Sequence, residues 1–164
     1  MNSTIQGTKL NIVAQQEKLV RTFATLDGDR QEVIAYIIAL GRALPALPAR
    51  EKVPANLVSG CLANVWLVGR YKAGCLFLQG DSDALVSKGL LALLCEVFSG
   101  QPLDEVMKVP LFFPKEIGLD RLISLQRRAG FEAVLGKIKL LAQRGLGLCG
   151  GEGVLTRGAS DGGP

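Results

Sequence analysis

The chain contains no histidine, and that absence closes off more chemistry than any other feature of its composition. Ser-His and Cys-His nucleophilic pairs are excluded, as is every histidine-ligated metal site. The four cysteines, Cys61, Cys75, Cys95 and Cys149, include no C-x-x-C pair and no close spacing of the zinc-ribbon type, so no metal site is expected. No run of about 20 apolar residues is present to span a bilayer. No N-terminal stretch joins a basic start to an apolar run and a small-residue cleavage site. A cytoplasmic protein with reduced thiols and no membrane contact is expected. Long like-charge blocks are missing too, which argues against a disordered arm or a nucleic-acid-binding tail.

What remains is enough for one core. The chain has 164 residues, 48% of them hydrophobic, and a mean hydropathy of +0.28, ample for one domain and short for two. Its net charge is only +4, but Lys115, Arg121, Arg127, Arg128, Lys137, Lys139 and Arg144 crowd the C-terminal third. They imply either a basic docking face or an ordinary solvated helix surface.

Taken in order, residues 1–16 are polar and weakly patterned and read as a flexible leader, with a folded domain over 17–144. A helix starts near Gln16, carrying Leu19, Val20, Phe23 and Leu26 at helical spacing. Asp29 is placed to cap a second helix that ends near Pro45. Residues 45–60, with three prolines, form a long loop of functional length. Val65 to Tyr71 and Cys75 to Gln79 then read as a β-hairpin around Lys72-Ala73-Gly74. Gly80-Asp81-Ser82-Asp83 breaks the second strand and offers capping oxygens to an apolar core helix running from about Asp83 to Ser99. Phe112 and Phe113 anchor an irregular segment, and a last helix spans about Arg128 to Arg144, ended by Gly145. Residues 145–164, rich in glycine, read as a flexible tail carrying an exposed Cys149.

The chemically suggestive stretch is Gly60-Cys61-Leu62-Ala63-Asn64-Val65-Trp66. It sets a thiol at a loop-to-strand junction, where a nucleophile can be offered from a rigid base. A free cysteine can equally fill a strand end as a small apolar residue. Trp66 reads as a core anchor beneath the loop, and Cys75 as packing beside Phe77.

Gly60-Cys61 with Val65-Trp66, Gln79-Gly80-Asp81-Ser82-Asp83-Ala84, Lys88-Gly89-Leu90, Ser99-Gly100-Gln101, Gly118-Leu119 and Arg127 together resemble the SufE/CsdE family. The resemblance spans residues 17 to 142, and several motifs at matching spacing weigh more than one. It implies an α+β fold, a small antiparallel β-sheet flanked by helices as in IscU-type scaffolds. It also implies that Cys61 accepts sulfur from a cysteine desulfurase of the SufS/CsdA type and passes it to an iron–sulfur scaffold complex. The chain itself would need no cofactor, since pyridoxal phosphate belongs to the desulfurase. Arg127 would support the thiolate, and Gly60, Asp81, Ser82 and Asp83 would face the partner. Helix capping by Asp81-Ser82-Asp83 is the alternative role for that turn, and a surface ion pair the alternative for Arg127. A desulfurase-binding modulator that relays no sulfur, and a scaffold that holds a cluster itself, are the rival functions. The sequence departs from the family pattern at Leu62-Ala63-Asn64, usually a polar triplet, and over Leu122–Arg127, where histidine and proline are usual. Leu62 is expected to bury the loop more tightly, and Leu125 removes a fixed backbone angle.

Overall fold

The computed structural model describes the backbone of residues 9–158 and the side chains of residues 9–148. Expectations for residues 1–8, for 159–164 and for the Cys149 thiol fall outside that range. The first helix, α1 (Ile12–Ala24), is capped by Asn11, whose side chain accepts from the Ala14 N–H at 2.8 Å. It therefore begins inside the stretch read as a leader. The reason is Gln16, which is fully buried. Its amide oxygen accepts from the N–H groups of Phe112 and Phe113, and its amide nitrogen donates to the Pro110 carbonyl. A polar side chain buried by partners almost a hundred residues away leaves no apolar signal in its own segment. In α2 (Arg30–Ala43) the Asp29 carboxylate caps the Gln31 and Glu32 N–H groups, as the local pattern predicts.

Two short 3-10 turns, Ala49–Glu51 and Pro54–Asn56, break up the proline-rich loop. β1 (Val65–Lys72) and β2 (Cys75–Ser82) then pair antiparallel from Val65↔Ser82 to Lys72↔Cys75. β2 thus runs through Gly80-Asp81-Ser82, because Leu67, Trp66 and Val65 supply it with a partner strand. A two-residue β3 (Gln101–Pro102) joins on the other side of β2, giving the order β1-β2-β3.

One face of this sheet, carrying Val65, Leu67, Leu76 and Leu78, is buried. It packs on α3 (Leu85–Phe98), whose Leu90, Leu93, Leu94, Val97 and Phe98 form the centre of the core. Leu85, the first residue of that helix, is 51% exposed. Trp66 is not the expected core anchor. It lies on the opposite face of β1, half-buried beneath the Lys52 ammonium, which stands 5.4 Å from the ring centroid. The expected placement of Cys75 holds: it shares the outer face of β2 with Phe77.

Three short helices, α4 (Leu103–Lys108), α5 (Phe113–Glu116) and α6 (Leu119–Leu122), close one side, with Phe113 buried edge-on to Phe131. The last helix, α7 (Leu125–Gly158), starts earlier than Arg128 and continues through Gly145. Gly145 is a contact rather than a stop: a Cβ there would lie 2.5 Å from the Tyr71 ring. The Tyr71 hydroxyl donates to the Leu141 carbonyl at 2.7 Å, so β1 and α7 meet at that point.

Candidate functional site

Cys61 sits near the tip of a small closed arch. The Val58 N–H donates to the Val65 carbonyl at 2.8 Å and Leu57 faces Trp66 across an antiparallel bridge, so residues 59–64 loop out from a paired base. Gly60, at φ +95°, makes the turn that an L side chain would strain. The downstream foot is Asn64. Its backbone N–H and side-chain amide both donate to the Asp83 carboxylate, at 3.0 and 2.8 Å, while its carbonyl accepts from the Ser82 hydroxyl at 2.9 Å. Ser82 and Asp83 are thus largely occupied in tying down the arch. Ala84 occupies the N-cap position of α3, with no side-chain cap.

Asp81, expected in the same exposed turn, is buried, at 4% exposure. Because β2 continues through it, its side chain points away from that of Ser82. Lys52 and Lys88 each approach its carboxylate to 3.2 Å, and the Leu47 N–H donates to it at 3.0 Å. Burial alone would raise this carboxyl, but the N–H groups of Leu47 and Ser82 and the two ammonium groups outweigh it and hold the pKa below the usual carboxylate value. Asp81 therefore ties the long loop to α3 from inside, and its side chain is not offered to a partner at the surface.

The thiol itself is half-buried against α7. Its Sγ donates to the Gly130 carbonyl at 3.6 Å, and a Cβ on Gly130 would come within 3.4 Å of the sulfur. Glycine at 130 lets the sulfur lie directly on the helix backbone. Beside it opens a cavity of about 380 Å³, walled by Val65, Leu90, Leu91, Leu94, Phe131 and Val134, with Arg127 and Gln126 among its polar lining. Burial pushes the Cys61 thiol pKa up, and Arg127, though it lines the same cavity, does not offset that in this geometry. Burial thus favours the protonated thiol in this arrangement, and leaving the pocket or gaining a cationic neighbour would favour the thiolate.

The residues around it depart from expectation in a consistent way. Leu62 does not bury the arch more tightly; it is 80% exposed beside the thiol. Leu125, 73% exposed, opens α7, a position where proline would also have been accommodated. Ser124 caps that helix by accepting from the Arg127 N–H at 3.3 Å. Two of the basic residues read as a docking or solvated face are used internally. Lys139 donates to the Val106 carbonyl and stands over the Phe98 ring, and Lys137 donates to the carbonyls of Ala55 at 3.4 Å and Leu57 at 3.2 Å. Desolvation lowers the pKa of both. The sequence reading placed Asn64 only in the departing triplet and Lys137 only among the basic residues, and it did not single out Gly130, although Gly130 and Lys137 share one face of α7 at i and i+7.

Cys95 is in the core, and its burial raises its thiol to about 12. Among the described residues no three His, Cys, Asp or Glu side chains gather as a metal-holding group, and no helix is long and apolar enough to cross a membrane.

Fold and site together define an α+β domain that presents one thiol on a tethered arch at the edge of an apolar cavity. The chain belongs to the SufE family: the Fe-S metabolism associated domain of that name matches residues 17–142. An uncharacterized SufE-like protein of Rhizobium etli is 35% identical over 140 residues, covering 82% of this chain and 93% of its own length. A second, from Rhizobium meliloti, is 33% identical over 132 residues, covering 77% and 94%. The solution structure of a hypothetical protein from Thermus thermophilus superposes with a TM-score of 0.67 at 20% identity, covering 80% of this chain and 96% of that one. That likeness establishes the shared fold.

Proposed function

We propose that this Fe-S metabolism protein is a sulfur acceptor, taking persulfide sulfur onto Cys61 from a cysteine desulfurase and relaying it to an iron–sulfur scaffold complex. The observation that carries this reading is the position of Cys61: the one thiol on an arch, half-exposed, beside a cavity large enough to receive added sulfur. The step is an exchange between divalent sulfurs. The Cys61 thiolate attacks the outer sulfur of the donor persulfide, a new S–S bond forms at Cys61, the donor S–S bond breaks, and its electron pair leaves on the donor cysteine as thiolate. No net oxidant or reductant is consumed, and no histidine is needed. Clearing the persulfide also frees the desulfurase for its next turnover, so docking speeds it. Arg127, at the same cavity, is positioned to meet negative charge on an emerging thiolate.

The test is intact mass and peptide mapping after incubation with a cysteine desulfurase, pyridoxal phosphate and cysteine. A reductant-labile adduct of about 32 Da on the Cys61 peptide is expected from exchange at this thiolate. Persulfidation of Cys61→Ser at the normal rate would overturn the assignment. The raised pKa of the resting thiol favours one rival, a modulator that alters desulfurase turnover without carrying sulfur; its mark is stimulation that survives Cys61→Ser.

A further inference from the structure

One face of α7 touches the thiol arch at three levels. Gly130 carries the Cys61 sulfur on its carbonyl, the Ala133 Cβ would stand 3.5 Å from a Cβ at Gly60, and the Lys137 ammonium holds the Ala55 and Leu57 carbonyls where the arch begins. Residues 130, 133 and 137 follow i, i+3, i+7, so all three lie along one stripe of a single rigid element. Residues 54–58 are the upstream foot of the arch, just as Asn64 is the downstream foot. Neither the Ala55 nor the Leu57 carbonyl accepts a loop or turn backbone N–H among the described residues, so the lysine satisfies what the backbone leaves open.

We propose that Lys137 is a positioning residue for the Cys61 thiol: by clamping the upstream foot of the arch to α7, it keeps the sulfur seated on Gly130 and partly shielded from solvent. The clamp suppresses the reactivity of the resting thiol. A partner that draws the Ala55 and Leu57 carbonyls away from Lys137 releases Cys61, which sets when the acceptor becomes competent. This inference builds on the acceptor reading of Cys61, but its test does not use a desulfurase. Failure of one is therefore distinguishable from failure of the other.

The probe is iodoacetamide, with alkylation of Cys61 and Cys95 followed separately by peptide mapping on the full chain. Charge-assisted hydrogen bonds of this kind justify an expected acceleration of Cys61 alkylation by roughly fivefold in Lys137→Met. Cys95 should keep its slow rate, and Lys137→Arg, which preserves a cationic donor, should restore most of the protection. Lys137→Gln, a shorter neutral donor, serves if the methionine variant fails to fold, and should accelerate Cys61 in the same direction. An unchanged Cys61 rate overturns the proposal. So does a parallel rise at Cys61 and Cys95, which would mean general loosening of the fold rather than release of the arch.

Discussion

Cys61 and Cys95 are both free thiols with pKa values raised by burial, yet they are buried by different kinds of structure. Cys95 lies within α3, buried in the apolar core with the Lys9 ammonium as a charged neighbour, and the opening of such packed core approaches global unfolding. Cys61 is covered by an arch held through polar ties: Lys137 at one foot, Asn64 with Ser82 and Asp83 at the other, and one weak S–H bond to Gly130. Apolar packing over many side chains is cooperative, whereas a few hydrogen bonds at a surface can be exchanged for those of a partner. The same property that quiets a thiol is permanent in one place and reversible in the other.

The sharpest separation of the two comes from serine substitution. Cys61→Ser is expected to abolish sulfur uptake while leaving thermal stability nearly unchanged. Cys95→Ser should retain uptake and lose about 2 kcal/mol by burying a hydroxyl in apolar surroundings. Persulfide mass mapping and thermal melts read the two effects on the same samples, and loss of uptake in both variants would erase the distinction.

Asp81 joins the two regions, since its carboxylate links Lys88 of α3 to Lys52 and Leu47 of the loop leading to the arch. Removing a buried carboxylate from between two ammonium groups should cost about 3 kcal/mol in Asp81→Asn, moderated because Lys52 can turn toward water. The sign with pH follows from its depressed folded pKa. The contribution is complete above the unfolded carboxyl value of about 3.9 and is lost as pH falls through the folded value. Chemical denaturation at neutral pH and in acid should therefore show the variant converging on the parent at the acid end. A constant gap would mean that the carboxylate charge is not what matters.

How far these two regions could be read in advance differs for a physical reason. The core around Cys95 was legible because its information is periodic and local: Leu90, Leu93, Leu94, Val97 and Phe98 recur at helical spacing, and Asp29 announces its helix. The Cys61 junction and the family motifs were legible as a local pattern too. The ties of the arch were not, because each depends on a partner far along the chain. Asp81-Ser82-Asp83 carries the composition of a helix cap, and only pairing with β1 makes it a strand end with one carboxylate buried and the other bound to Asn64. Lys137 looks like any solvated lysine until α7 is laid against Leu57. Gln16 hid the start of α1, and Gly145 mimicked a helix stop, each through a single distant contact.

The pH dependence of stability is the most direct comparison of the two burials. A thiol whose folded pKa exceeds its unfolded one keeps its proton in the native state while the unfolded chain has already ionised, so native stability falls as pH rises between the two values. For Cys95 that window runs from the unfolded value of about 8.5 toward the folded value of about 12, at roughly 1.4 kcal/mol per pH unit. Cys61 is raised in the same direction, but its arch can open locally and let the thiolate into water without unfolding the core. Denaturant midpoints measured across the alkaline range should thus flatten in Cys95→Ala and keep nearly the parent slope in Cys61→Ala. Alkylation of Cys61 in the native parent should meanwhile rise with pH, with a midpoint above that of the same thiol in urea. Equal flattening by both substitutions would mean that the arch opens only with the core, and the reversible character assigned to the Cys61 burial would be lost.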